Sequence, residues 1–108
     1  MLISVHSKGI PVAESLRSWI EERMSHAAEH LENRVRSLEV FLSDENGPEK
    51  GGADKACRVV VHLAHQPALV VADRDSNLPR MIDRIADRLN EAIDRRAKRM
   101  LGRHRHSG

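Results

Sequence analysis

The chain predicts a two-layer α+β domain with the element order β-α-β-β-β-α, two helices packed side by side on one face of a four-stranded sheet. Three observations predict it. Residues 35–44 and 55–64 alternate between apolar and polar side chains, the period of a half-buried strand. Residues 12–31 and 76–105 instead repeat apolar residues at helical spacing. A length of 108 residues, 40% of them hydrophobic, supports one domain with a single core of two layers and little more.

Taken in order, Leu2, Ile3 and Val5 open a short strand, and Gly9 and Pro11 punctuate it before a helix. Val12, Leu16, Trp19, Ile20, Ala27 and Leu31 mark that helix, with Asn33 near its end. Leu16 and Trp19 are expected to be buried. In the second strand Leu38, Val40 and Leu42 fall to one side, Glu39, Phe41 and Ser43 to the other. Residues 45–54 (ENGPEKGGAD) are a loop by composition. The next strand, Lys55 to Ala64, puts Cys57, Val59, Val61 and Leu63 on one face. Gln66-Pro67 makes a turn, and Ala68 to Ala72 form a short apolar strand. Asp75 or Ser76 can cap the final helix, with Pro79 tolerable in its first turn.

Three consecutive strands with short connections imply an antiparallel meander. The first strand returns through a helix, so it should lie parallel to a neighbour by a right-handed crossover. Leu78, Ile82, Ile85, Leu89, Ile93 and Met100 are the apolar stripe of the last helix. At about 45 Å it would outrun a four-stranded sheet. Its last turns, where Arg96 and Arg103 intrude on the stripe, should project into solvent. Residues 1–105 thus read as one domain and 106–108 as a frayed tail.

Composition argues against several functions. Trp19 and Phe41 are the only aromatics besides histidine, which disfavours modules that stack bases on aromatic platforms. Cys57 is alone, so no internal disulfide forms, and a reducing cytoplasm is the expected compartment. There is no apolar run long enough for a bilayer and no signal-peptide pattern, so no membrane role is expected. His26 and His30 have metal-binding i,i+4 spacing but lack a third ligand. No paired acids, activated nucleophile or phosphate-binding glycine loop is visible. The expectation is a protein that is not an enzyme, with no metal, cofactor or small-molecule substrate.

Charge is the positive signal. Residues 76–108 hold nine Lys/Arg against four Asp/Glu, whereas residues 1–75 hold nine against twelve. On the last helix, Asp83, Asp87 and Asp94 fall on one flank of the apolar stripe, and Arg84, Arg88, Arg95 and Arg99 on the other. A solvated helix usually mixes signs into i,i+4 pairs. Segregation predicts an unneutralised row of guanidiniums, suited to a phosphate backbone, although a basic helix end that complements its own dipole is the bland alternative. On the first helix Arg23 interrupts the stripe, with His26 and His30 beside it. If Arg23 borders the arginine flank, the two helices would form one positive groove.

These residues resemble a known family. Leu16-Arg17 with Ile20-Glu21-Glu22-Arg23-Met24 is similar to the first helix of the ribosome hibernation-promoting factors, also called ribosome-associated inhibitors. Ile82-Asp83 with Ile85-Ala86-Asp87-Arg88-Leu89 resembles their second helix, and Val40 and Leu42 match their second strand. The resemblance covers residues 1–105 and lies in order, spacing and length jointly. It implies a fold like a double-stranded-RNA-binding domain with an extra strand. It also implies binding to ribosomal RNA of the small subunit, in the channel for messenger and transfer RNA, so that idle ribosomes are inactivated or preserved under stress or in stationary phase. Carried over by position, Arg23, Arg88 and Arg95 would touch that RNA. His26 stands where a Lys is usual, which would weaken the contact or make it pH-dependent. Pro79 and His30 replace common aromatics, and Asn90-Glu91-Ala92 replaces a more basic stretch. Ending after the helix, the chain resembles the short form, expected to be a monomer. A protein-partner module and a generic double-stranded-RNA binder of the same fold remain the alternatives.

Overall fold

A computed structural model describes residues 1–45 and 54–106, with side chains described up to residue 100. The elements are β1 (Leu2–Lys8), α1 (Glu14–Ala27), a 3₁₀ turn (Glu29–Arg34), β2 (Val35–Asp44), β3 (Lys55–Leu63), β4 (Leu69–Asp75) and α2 (Leu78–His106). Residues 46–53 of the expected 45–54 loop, residues 107–108 of the expected 106–108 tail and the side chain of Arg103 lie outside the described residues.

The sheet order is β1-β2-β3-β4. β1 lies parallel to β2, pairing Val5 with Val40, and the other two pairings are antiparallel, with Val40 opposite Val59 and Val59 opposite Val71. The register brings Val5, Val40, Val59 and Val71 into one row, all buried, and α1 and α2 cover that face. A one-residue slip in any pairing would turn its apolar set to water, so burial fixes the register. Gly9 turns the chain out of β1 with φ +80, a conformation that favours glycine, and Ile10 is then buried.

Several boundaries differ from expectation. α1 stops at Ala27, where the sequence spacing runs on to Leu31. The break is a 3₁₀ turn in which Leu31 leaves helical geometry (φ −118) while remaining buried. β4 continues past Ala72 to Asp75, pairing with β3 as far as Lys55 opposite Asp75, and arginines of α2 pair with the carboxylates of Asp73 and Asp75. The cap of α2 is Asn77, whose Oδ1 accepts the Arg80 N–H at 2.9 Å. Asp75 accepts the Asn77 N–H instead, holding the turn before the helix. The tight turn after β3 contains His65, at φ 60, ahead of Gln66-Pro67.

The two stripes are wider than the spacing showed. Met24 and Met81 are fully buried beside Ile20, Ile82 and Leu89, whereas Leu16 and Trp19 are only partly buried. Methionine's unbranched thioether fits the irregular space between helices and sheet. Arg96 is half-buried and anchored: its Nη1 donates to the Pro67 carbonyl at 3.0 Å, tying α2 to the connection between β3 and β4.

Candidate nucleic-acid interface

The two flanks of α2 face different neighbours. The arginine flank lies along β4. Arg80 grips Asp75 with two nitrogens, at 2.8 and 2.6 Å. Arg84 donates to Asp73, to Asp75 at 3.1 Å and to the Arg74 carbonyl at 3.1 Å, so all three of its nitrogens are engaged. Arg88 donates to the Ala72 carbonyl at 3.0 Å and lies 3.4 Å from Asp73. The row is therefore partly neutralised, which corrects the expectation of free guanidiniums at Arg84 and Arg88. Arg95 and Arg99 are exposed and have no partner among the described residues.

This clamp has an electrostatic signature. Hydrogen bonds from Arg80, helped by the Asn77 amide, hold the Asp75 carboxyl well below the usual carboxylate range, and Asp75 is the one buried charged residue among those described. Hydrogen bonding from Arg84 likewise lowers Asp73. In return Arg80 and Arg84 hold their protons more tightly. Arg80 was not singled out by sequence. Its signal was the Asp-x-Asp of β4 ahead of the Arg80/Arg84/Arg88 repeat, which becomes a pairing only once β4 and α2 are adjacent.

The aspartate flank lies along α1. Arg23 donates from Nε to Asp83 Oδ1 at 3.1 Å and from Nη2 to the Asp83 carbonyl at 3.4 Å, and lies 3.8 Å from Asp87. His30 is 3.4 Å from Asp94, and His26 is 3.4 Å from Glu29 and largely exposed. The expected single positive groove is thus not formed. Arg23 and His26 sit across α2 from Arg84, Arg88, Arg95 and Arg99, in a groove of about 440 Å³ that Asp87, Asn90 and Glu91 also line. The segregation of charge on α2 has a folding reason: each flank is complementary to the element beside it.

Other chemistry is sparse. Burial pushes the Cys57 thiol up to about 12, with the Asp73 charge adding to the effect, so it is an inert core residue. Among the described residues no group of three or more His, Cys, Asp or Glu could hold a metal ion, and no helix is long and apolar enough to cross a membrane.

The architecture matches solved structures. The Thermus thermophilus Protein Y N-terminal domain superposes with a TM-score of 0.70 at 21% identity, covering 88% of this chain and 98% of that one. A ribosomal subunit interface protein from Coxiella burnetii gives 0.71 at 14% identity, covering 88% and 96%. Both likenesses concern the fold. No curated protein is significantly similar in sequence. The family model described as sigma 54 modulation protein / S30EA ribosomal protein matches residues 3–101, nearly the whole chain, and the chain belongs to that family.

Proposed function

We propose that this protein is a non-enzymatic, cytoplasmic, monomeric regulator of translation that binds the small ribosomal subunit through its RNA, in the messenger and transfer RNA channel, and inactivates or preserves idle ribosomes under stress or in stationary phase. The observation that carries the reading is the exposed arginine flank of α2 on a fold of this family, with Arg95 and Arg99 unpaired among the described residues. Guanidinium is suited to the task because its planar fork grips two phosphate oxygens and stays charged. Arg88 keeps Nε and Nη2 for a phosphate while Nη1 is anchored on β4. Arg84 would act mainly by fixing the flank. Arg23 and His26 would meet RNA as a separate patch across α2.

The test is binding to isolated small subunits across a salt series. Arg95→Ala combined with Arg99→Ala should weaken binding and lower the salt slope by about one unit per lost contact. Stability should stay within about 0.5 kcal/mol, because neither side chain holds the fold. A double variant that binds like wild type at every salt concentration would remove the α2 flank from the interface.

A further inference from the structure

The face of the sheet that carries no helix has a chemistry of its own. The register aligns His6, Phe41, Arg58 and Ala72 across the four strands. The His6 ring stacks on Phe41 with centroids 5.0 Å apart and planes 17° from parallel. The Arg58 guanidinium lies over the same ring, 5.0 Å from its centroid. That ring contact is the only partner of Arg58 among the described residues, so its charge meets no carboxylate there. Beside the stack is an open hollow of about 630 Å³, lined by Phe41, Arg58 and Arg74 and by the small residues Ser43, Ala56 and Ala72. Strand alternation also places Lys8 and His62 on this face; His62 lies 2.9 Å from Glu39, and Arg74 is ion-paired with Glu45 at 2.7 Å.

The geometry points to this face as a binding surface for single-stranded RNA, with a base laid against the Phe41–Arg58 stack above Ala56 and Ala72 and the flanking phosphates met by Arg58 and Lys8, beside Arg74, which Glu45 holds in place. A planar π surface joined to cations over a floor of small side chains suits an unpaired base and its phosphate. Alanines at 56 and 72 leave the height a stacked base needs. Ser43 and Glu45 line the same hollow and offer oxygen atoms to a ribose 2′-hydroxyl. The site is separate from the α2 flank and does not depend on the function proposed above. The scarcity of aromatics counts against a long stacking platform, but the Arg58 plane over the Phe41 ring, beside the hollow, serves a single base.

The test is fluorescence anisotropy of the intact protein with labelled oligouridylate, with oligothymidylate and polyglutamate as comparison ligands. Phe41→Leu keeps an apolar side chain but removes the ring, and should weaken oligouridylate binding about tenfold or more, while Phe41→Trp should retain it. Arg58→Lys keeps the charge and loses the plane, and should fall between them. Arg95→Ala with Arg99→Ala should leave the Phe41→Leu loss in place. Thermal melts would confirm that each variant is folded. The proposal is overturned if oligouridylate does not bind, if folded Phe41→Leu binds like wild type, or if the α2 double variant alone abolishes binding. Equal affinity for oligothymidylate would overturn the assignment to RNA, and equal affinity for polyglutamate would reduce the face to a general anion surface.

Discussion

Asp75 shows how one side chain joins three parts of the molecule. It ends β4, accepts the Asn77 amide before α2, and receives Arg80 and Arg84 from that helix. Its carboxyl, like that of Asp73, binds its proton less tightly in the folded chain than its ordinary value of 3.8. A depressed folded value means that this stabilisation is complete at neutral pH and is lost as pH falls below about 4 towards the folded value. Denaturant melts between pH 5 and 2 should therefore show stability falling with acid, and Asp75→Asn should flatten that fall. An unchanged acid profile in the variant would show that the clamp contributes nothing to folding. Both arginines are half-exposed, and water screens part of the pairing.

At the scale of the element, α2 combines a defined start with a wide buried stripe. Asn77 satisfies an amide that the first turn cannot, so Asn77→Ala should cost about 1 kcal/mol in chemical denaturation. A cost near zero would move the cap elsewhere. Leu89 is fully buried at the middle of the stripe, and Leu89→Ala should cost about 2–5 kcal/mol. A loss under about half a kcal/mol would contradict the rotational phase of the helix. The same phase sends Asp83 and Asp87 towards α1 and Arg84 and Arg88 towards β4.

Across the whole molecule, the helical layer has two edges of opposite character. Asp83 and Asp87 restrain Arg23 on the α1 side, so replacing both with Ala releases a guanidinium without touching the arginine flank. Small-subunit binding by Asp83→Ala with Asp87→Ala should be equal to wild type or stronger, measured across the same salt series. If instead that pair loses binding while Arg95→Ala with Arg99→Ala keeps it, the acidic edge is the interface. A protein partner with a basic surface would then replace ribosomal RNA in the reading.

The element order, the inward faces of β2 and β3 and the stripe of α2 are legible in the residue pattern alone, because local periodicity follows directly from backbone geometry. That pattern determined that Leu38, Val40, Leu42, Cys57, Val59 and Val61 share the core, and all six are buried. It also located the segregated charge of α2. What that segregation is for emerges from the packing of α2 between α1 and β4. Arg84 meets Asp73 across 11 residues of chain, and Arg23 meets Asp83 across 60. No local pattern reports which element will lie on which side of a helix, and that placement is what turned one expected groove into two separate edges. Met24 and Met81 were missed for a related reason: they fill space set jointly by two helices and a sheet. The His6–Phe41–Arg58 stack likewise needed three strands in register, since its members are 35 and 17 residues apart in sequence and come together only through the pairing of β1, β2 and β3.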